Sequence, residues 1–439
     1  MHTVVLAAGL FVFVAHLLEL FFERTRIPDI LLLMLLGLVV GPITGLLALE
    51  DLGRVGDVLA IVTLAVILFE SGLGLQITTL LNSLGRAAPF SLLSMVTAIG
   101  CLTLALKFLM AMDWWAALLG GLIMGGTSSA VVIPMLGALR VGEETSTVLT
   151  LESTLTDVFC IIGTVGVAVS LGAGATPQAA GLLGTVGFSL IAAALVGAAA
   201  GLGWSILLGR AERISNTMFT TMAGALVVYG FCEQMQVSGA IATLAFGIAL
   251  GNLPRGVVLE VDRGAEAAPI KLKLREVKRV ERAVYAESVF LLKAAFFFYL
   301  GMTVRPEAFF SMSGLIAFVL ALVPFLPRFP IVRLLLGPAV ANRRDALLAT
   351  VLVPRGLAAA VLAQIPVRMF SHGHPLQGVA VELAEVVAMM VFFSIAIVSL
   401  MVFLVERGGL AAVGQLGYAA YHDPADLEDP AADSPAPVQ

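Results

Sequence analysis

The sequence predicts an all-α membrane protein with about 13 transmembrane helices, arranged as two inverted six-helix repeats. Hydrophobic residues make up 59% of the 439 residues and charged residues only 13%, whereas soluble domains carry about 25% charged residues. The apolar residues fall into segments of about 20 residues, the length that crosses a bilayer as a helix. Glycine motifs of the first half recur in the same order in the second half, which indicates an internal repeat.

The apolar segments place the spans in order along the chain. We expect them near residues 4–22, 28–46, 55–75, 87–110, 113–138, 146–171, 178–208, 215–235, 238–252, 284–304, 310–339, 345–366 and 381–404. Pro324, Pro327 and Pro330 predict a bend in the eleventh span, because proline cannot donate the helical hydrogen bond.

The loop charges orient the chain in the membrane. With the N-terminus outside, 17 of the 25 Lys and Arg residues lie in inner loops, and only Arg54, Arg305 and Arg368 lie in outer loops. This bias follows the positive-inside rule, and an odd number of spans then places the C-terminus in the cytoplasm. We therefore expect a multi-pass protein of the cell (inner) membrane.

The sequence also predicts the structure of two segments outside the spans. The end of the inner loop 252–283 (IKLKLREVKRVERA) is either a basic surface helix on anionic lipid or ordinary positive-inside charge. Residues 405–439 are expected to form a mostly disordered cytoplasmic tail, since the tail is acidic and rich in proline and alanine.

Composition and motifs exclude several classes of function. A net charge of −5 argues against nucleic-acid binding. Cys101, Cys160 and Cys232 lie far apart in apolar segments and predict neither a disulfide framework nor a metal site. The sequence contains no nucleotide loop, catalytic triad or zinc motif, so we expect no enzyme activity and no cofactor.

The repeat rests on three matched pairs of motifs. They are Gly37-xxx-Gly41 with Gly247-xxx-Gly251 at an offset of 210, Phe69-xx-Gly72 with Phe298-xx-Gly301 at an offset of 229, and the helix-breaking clusters Gly125–Ser129 and Pro354–Gly356. An odd span between the halves inverts one repeat relative to the other, and paired broken helices are typical of secondary transporters. The alternative is chance recurrence, since GxxxG is common where membrane helices meet.

The sixth span carries the densest set of oxygen-bearing side chains. Between Thr150 and Asp157, helical spacing places Glu152 and Thr156 on one face and Thr150, Ser153 and Asp157 on an adjacent face. Such a segment suits a wet cavity that offers oxygen ligands to a monovalent cation. Desolvation raises the pKa of a carboxyl group, so a proton and a cation can compete for it. Asp157 is the predicted exchanging carboxylate; alternatively, it only hydrogen-bonds a broken helix end.

The other intramembrane charges have separate predicted roles. Arg328 is the expected structural partner of Glu152, because a guanidinium stays charged when buried and binds a carboxylate through two bonds. Arg355, in the break of the twelfth span, either supplies positive charge near the crossing helix ends or caps exposed carbonyls. Glu70 lines an entry funnel or reaches the interface. Lys293 either pairs with Asp157 as a second proton carrier or reaches the interface.

The ordered motifs resemble the monovalent cation/proton antiporter superfamily, the family of sodium/hydrogen exchangers, over about residues 5–404. They are RIPDILLLMLLGLVVGP, ILFESGLGL, GGTSSAVV, LESTLTD, FFFYLGM and VPRGLAAAVLA. By this resemblance Asp157 is the ion-binding aspartate, Glu152 and Arg328 are the structural ion pair, and Arg355 is the helix-12 arginine. Many members have Asp where this chain has Ser128, proline at Ser129, and Asn or Asp at Thr156.

The resemblance implies a homodimer of the NhaA-type fold, in which a moving core carries the ion past a dimerising panel in an elevator-like motion. The implied divisions are an antiporter domain at 1–404, repeat one at about 1–172, a linker helix at 178–208, repeat two at about 215–404, core helices at 87–171 and 310–404, and panel helices at 1–75 and 215–304.

Together these features predict an antiporter that exchanges Na+ or K+ for H+. The ion would bind Asp157 with help from Thr156, Ser128, Ser153 and the backbone at Thr127. The loss of carboxylates next to the site weakens its field and penalises sodium relative to potassium. Two alternatives are a sodium-coupled symporter of an organic anion on a similar fold and a non-transporting membrane sensor or channel subunit.

Overall fold

The computed structural model describes most of the chain. The described residues are 2–25, 29–47, 55–75, 77–139, 141–172, 187–210, 217–235, 237–252, 258–261, 270–273, 279–338, 340–370 and 373–421. Nearly all of them are helical, as the apolar composition predicts, because a helix satisfies its backbone groups internally where no water is present.

Eight helices lie in the described residues up to position 210. They are α1 (His2–Thr25), α2 (Asp29–Leu38, extended by a π-helical turn at Val39–Ile43), α3 (Val55–Gly74), α4 (Ile77–Leu109), α5 (Trp114–Gly125), α6 (Ser129–Leu139), α7 (Glu143–Gly172) and α8 (Gly187–Arg210). The predicted linker helix at 178–208 corresponds to α8, and its residues 178–186 lie outside the described part.

The second half continues with α9 (Thr217–Gln234), α10 (Gly239–Gly251), strands β1 (Val258–Val261) and β2 (Ile270–Lys273), and α11 (Arg279–Thr303). After a 3-10 turn at Pro306–Phe310 follow α12 (Met312–Leu322), α13 (Phe325–Leu335), α14 (Arg343–Val351), α15 (Leu357–Leu362), α16 (Gln364–Met369), α17 (Gln377–Glu406) and α18 (Ala411–Gly417).

Within the described residues, seven helical segments are long and apolar enough to cross a bilayer, and five shorter apolar ones accompany them. Polar residues start several of these helices: the side chains of Asp113, Ser238, Ser311 and Asn342 each accept a backbone N–H of the helix that they precede. Such caps satisfy N–H groups that have no partner inside the helix. The pattern is that of a multi-pass membrane protein.

The helices pack in two groups. Helices α1–α3 and α8–α11, here called the panel, contact mainly one another, with α2 on α11 and α3 and α8 on α10. Helices α4–α7 and α12–α17, here called the bundle, do the same, with α4 on α5, α7 and α13, and α12 on α17. Contacts between the groups are sparser and involve α3 and α11 with α15, α2 with α17, and α10 with α7.

Two helix crossings of the panel have the same construction. A Cβ on Gly37 of α2 would collide with the carbonyl oxygen of Phe298 in α11, and a Cβ on Gly247 of α10 would collide with that of Phe69 in α3. These pairs are related by the sequence offsets of 210 and 229. Only glycine lets the backbones approach so closely, so the matched motifs mark matched contacts.

The bends of the bundle lie where the sequence predicts them. The chain is not helical between α5 and α6 (Gly126–Ser128) or between α14 and α15 (Leu352–Gly356). Pro324 separates α12 from α13, so the predicted eleventh span is bent there.

The inner loop differs from one of its two predicted forms, the basic surface helix, at its described residues. Residues Ile270–Lys273 form a strand that pairs antiparallel with Val258–Val261, and a helix begins only at Arg279. Alternating polar and apolar residues in IKLK suit a strand better than a helix. The rest of the loop, at 253–257, 262–269 and 274–278, lies outside the described residues.

The segment after α17 is ordered further than the expected tail. Helix α18 leads to Tyr418, which is 1% exposed and whose hydroxyl lies 2.5 Å from Thr350 Oγ1 in α14. Burial raises the pKa of Tyr418 to about 12, so the hydroxyl keeps its proton at neutral pH. Tyr421 donates to the carbonyl oxygen of Leu336 at 2.8 Å. The predicted disorder at 422–439 concerns residues outside the described part.

Candidate functional site

The two helix breaks of the bundle cross in direct contact. The backbone N–H of Ser128 donates to the carbonyl oxygen of Pro354 at 2.8 Å. A Cβ on Gly356 would collide with the Ser128 side chain, so only glycine fits there. The N–H of Arg355 donates to Ser394 Oγ of α17 at 2.9 Å. Backbone groups that a continuous helix would pair internally are therefore paired across the crossing.

Glu152 and Arg328 form a buried bidentate ion pair. Arg328 Nη1 and Nη2 donate to the two carboxylate oxygens at 2.6 and 2.8 Å, and the residues are 1% and 2% exposed. Arg328 also donates to Ser94 Oγ at 3.0 Å and to the Ala349 carbonyl oxygen at 2.8 Å. Its guanidinium carbon lies 4.6 Å from the centre of the Phe90 ring. Each charge is thus compensated in place.

Arg355 caps the end of α5. Its Nη1 donates to the carbonyl oxygen of Gly125 at 2.8 Å and to Thr127 Oγ1 at 3.4 Å. Thr127 Oγ1 in turn donates to Glu152 Oε1 at 3.3 Å. A cation at a helix C-terminus is favourable, because the free carbonyl groups there carry partial negative charge. Arg355 therefore caps a carbonyl oxygen at the end of α5.

The carboxylate of Asp157, a residue of α7, lies at the N-terminus of α6. Its Oδ2 accepts the Ser129 hydroxyl at 2.7 Å and the Ser129 backbone N–H at 3.3 Å. Its Oδ1 is buried, faces Gly126 and has no hydrogen-bond partner among the described residues. The free N–H groups of a helix start favour an anion. One carboxylate oxygen is thus held by Ser129, and the other makes no hydrogen bond to the described residues.

The remaining predicted ligands are mostly engaged by protein groups. Thr156 Oγ1 accepts the Thr127 N–H at 3.1 Å and donates to the Ser153 carbonyl oxygen at 3.2 Å. Ser153 is fully buried, and its hydroxyl donates to the carbonyl oxygen of Thr150 at 3.0 Å. Thr156 and Ser128 therefore hold the first break in place, and Ser129 is the residue that contacts Asp157.

An open cavity of about 680 Å³ leads to this site from one end of the molecule. It lies between the panel and the bundle and reaches the first residues of both half-helices, Ser129 and Leu357. Its polar lining comes from Glu19, Glu70, Ser71, Ser129, Ser146, Thr147, Thr150, Thr154 and Lys293. Since Ser129 hydrogen-bonds Asp157, one side chain separates the carboxylate from this space.

Lys293 and Glu70 lie on the panel wall of the cavity. Lys293 Nζ is 3.9 Å from Asp29 Oδ2, so its ion-pair partner here is Asp29 and not Asp157. Glu70 lines the cavity, as a funnel residue would.

A second, smaller cavity of about 230 Å³ lies at the opposite end, between α11 and α16–α17. Its polar lining includes Arg305, Arg368 and Glu385, and it includes neither Ser129 nor Leu357. Of these two cavities, the larger one therefore reaches Ser129, whose side chain hydrogen-bonds Asp157.

Three residues of the site were missed by sequence reasoning: Ser129, Ser94 and Asp29. Ser129 had a readable signal, because the residue after a helix break begins the next helix, where backbone N–H groups are free. Asp29 directly precedes an apolar run and reads as a helix start. Ser94 is one of many hydroxyl residues in apolar spans, and its spacing gives no sign of the contact with Arg328.

Crossed broken helices of this kind are typical of membrane transporters. The family model described as "Sodium/hydrogen exchanger, transmembrane" matches residues 9–407. The chain belongs to this family.

Curated relatives match part of the chain. The K(+)/H(+) antiporter NhaP2 of Shewanella oneidensis is 26% identical over 260 residues, which are 57% of this chain and 44% of that protein. The K(+)/H(+) antiporter NhaP of Alkalimonas amylolytica is 23% identical over 273 residues, 59% of this chain and 46% of that protein. The matched region thus spans less than half the length of these relatives.

Solved structures share the fold over nearly the whole chain. The sodium proton antiporter MjNhaP1 from Methanocaldococcus jannaschii, determined at pH 8, superimposes with a TM-score of 0.66 and 16% identity over 94% of this chain and 98% of that chain. A second structure of the same antiporter, from electron microscopy, gives a TM-score of 0.68 at 18% identity, with coverages of 95% and 98%.

Proposed function

We propose that this protein is a secondary active antiporter that exchanges a monovalent cation for H+ at Asp157. One observation carries the proposal. Near the breaks, Glu152 and Arg328 neutralise each other and Arg355 donates to the Gly125 carbonyl oxygen, while Asp157 is the carboxylate that keeps one buried oxygen without a partner among the described residues. A buried polar atom without a partner is costly. A proton or a cation at Oδ1 removes that cost, and each excludes the other.

The net charge of the site is the same with either ion bound. Glu152, Arg328 and Arg355 together contribute one net positive charge, since guanidinium groups stay protonated. A protonated Asp157 leaves that charge unchanged, and a deprotonated Asp157 with a bound cation gives the same total. The two loaded forms therefore carry equal charge, and the exchange is one for one and electroneutral.

We propose potassium as the favoured cation, with sodium as the alternative. The uncharged Thr156 and Ser128 leave Asp157 as the free carboxylate at the crossing, and Glu152 is neutralised by Arg328. Removing water from K+ costs less free energy than removing water from Na+. A site with a weak field returns little of that cost, so it favours K+. The curated relatives are named as K+/H+ antiporters, which agrees with this preference.

The proposed architecture has 13 crossings, in which α5 with α6, α12 with α13, and α14 with α15 and α16 each form one interrupted span. The equivalent Gly37 and Gly247 contacts support two inverted repeats. Sparse contacts between panel and bundle support an elevator-like motion of one past the other. With the N-terminus outside, the larger cavity faces the cytoplasm. We further propose a homodimer, assembled through the panel in the cell membrane.

Proteoliposomes with a pH-sensitive dye test the exchange. We expect K+, and less strongly Na+ or Li+, to dissipate an imposed pH gradient through the wild-type protein, and Asp157→Asn to lower the rate to that of empty liposomes. Asp113→Asn is the matched control, because asparagine keeps the N-cap of α5 and should retain full activity. Exchange by the Asp157→Asn protein would refute the assigned role, and uptake of a labelled organic anion would favour the symporter.

Stoichiometry is tested through Lys293. Because Lys293 pairs with Asp29 within the panel, it does not belong to the group that carries the ion. We expect a diffusion potential set with a gradient of the permeant anion thiocyanate, which leaves the K+ concentrations unchanged, to leave the K+-driven exchange rate unchanged, in the wild type and in Lys293→Met alike. A rate that follows the potential in the wild type, and no longer does so in Lys293→Met, would make Lys293 a second proton carrier.

A further inference from the structure

The bundle wall of the larger cavity carries a row of hydroxyl groups on α7. Thr147, Thr150 and Thr154 line the cavity, and their spacing of three and four residues places them on one helix face. Thr147 is exposed, whereas Thr150 and Thr154 are half-buried. Asp157 follows Thr154 by three residues, so the row leads from the mouth of the cavity to the carboxylate.

The hydroxyl protons of Thr147, Thr154 and Ser129 are used in hydrogen bonds within the protein. Thr147 Oγ1 and Thr154 Oγ1 each donate to the carbonyl oxygen four residues earlier, at 2.8 Å in both cases. Ser129, at the inner end of the row, donates its proton to Asp157 Oδ2 at 2.7 Å. A hydroxyl group has one donor and two acceptor lone pairs. These three groups therefore present acceptor lone pairs to the cavity, the chemistry that binds cations and does not bind anions.

The remaining surface of the cavity agrees with a cation path. The opposite, panel wall holds Glu70 and Glu19, and the positive charge of Lys293 on that wall is opposed by Asp29. Ser71, Ser146 and apolar side chains such as Ile133 form the rest of the lining. Between these walls, the threonine oxygens are neutral ligands that can replace water around a cation.

We propose that Thr147, Thr150, Thr154 and Ser129 form a hydroxyl track that takes up a partly dehydrated monovalent cation from the larger cavity and delivers it to Asp157. The inference rests on the proposed antiport function and adds residues, and a side of entry, to it. Since the track lines only the larger cavity, it acts on uptake from that side and not on uptake from the opposite side.

The test measures the cation KM separately on each side. Inside-out and right-side-out membrane vesicles are prepared from cells without endogenous antiport, and the probe is K+ in dye-monitored exchange. We expect Thr147→Val/Thr154→Val to raise the K+ KM on the larger-cavity side about three- to tenfold, the worth of one to two hydroxyl contacts. The maximal rate and the KM on the other side should stay within twofold of wild type. Valine keeps the branched shape of threonine.

Two further variants separate the track from a general effect on α7. Thr147→Ser/Thr154→Ser keeps both hydroxyl groups, and its K+ KM should equal that of the wild type. Thr97→Val is the matched control, because its hydroxyl makes the same type of bond to Leu93 within α4, outside the lining of this cavity, and its KM should be unchanged. An unchanged KM in the double valine variant, or an equal rise on both sides, would overturn the track while leaving antiport at Asp157 intact. No exchange by the wild type would overturn both.

Discussion

Replacing Arg328 with methionine leaves Glu152 as an unpaired charge in the middle of the bundle. The carboxylate is 1% exposed and would keep the Thr127 hydroxyl, at 3.3 Å, as its remaining protein donor. Removing one partner of a buried ion pair costs about 3–5 kcal/mol. At about 2 °C per kcal/mol for a large domain, we expect Tm to fall by roughly 6–10 °C. Glu152→Leu leaves Arg328 without its carboxylate partner and should lower Tm by a similar amount.

The double variant is the more informative protein. With both charges gone, the desolvation cost of the pair disappears, and the main loss is the bond from Arg328 Nε to the Ala349 carbonyl oxygen. An unsatisfied buried carbonyl costs about 1–3 kcal/mol. We therefore expect Arg328→Met/Glu152→Leu to melt about 2–6 °C below wild type, above either single variant.

Thermal unfolding of the purified protein in detergent, followed by tryptophan fluorescence at one scan rate, measures these differences. Glu406→Gln is the control, because it removes only the surface pair of Glu406 with Arg344 at 2.8 Å, where both side chains are about a third exposed (32% and 35%), and leaves the bond from Arg344 to the Leu139 carbonyl oxygen in place. Such a pair is worth at most about 1 kcal/mol, so Tm should fall by no more than ~2 °C. Additive losses in the double variant would refute the coupling between Glu152 and Arg328.

Three further predictions concern packing and anchoring. Gly37→Leu and Gly247→Leu should each lower Tm, and by similar amounts, because each side chain would enter an equivalent backbone crossing of the panel; clearly unequal losses would argue against the repeat. Gly356→Ala should abolish exchange without preventing membrane insertion, since a Cβ there pushes the two breaks apart; normal exchange rates would contradict this. Tyr418→Phe should lower Tm by roughly 2 °C through the loss of about 1 kcal/mol from its bond to Thr350, measured as above; an unchanged Tm would show that the bond contributes nothing.

The membrane helices were predictable because hydrophobic length is a direct requirement of the bilayer. The breaks were also predictable, since glycine and proline clusters interrupt helical hydrogen bonding wherever they stand. Helical spacing placed Glu152 and Thr156 on one face, and Thr127 contacts both of them.

Partners across the fold were harder to predict than positions along it. Hydropathy shows where a helix crosses, but it does not show how the helix is rotated about its axis. Lys293 illustrates the limit: its spacing from Asp157 along the chain leaves open which carboxylate it meets, and the packing of α11 on α2 brings it to Asp29. Ser129 shows the same limit, since its contact depends on where α6 begins relative to α7.

The position of Asp157 at the start of α6 has a consequence for leakage. A helix start carries about half a positive charge, which the ionised carboxylate offsets. Once the carboxyl group takes up a proton, that offset is lost, and a metal ion arriving from the cavity meets repulsion instead of attraction. In the proposed antiport, the positive end of α6 therefore disfavours simultaneous binding of a proton and a metal ion. It would thus reduce transport of both ions in the same direction.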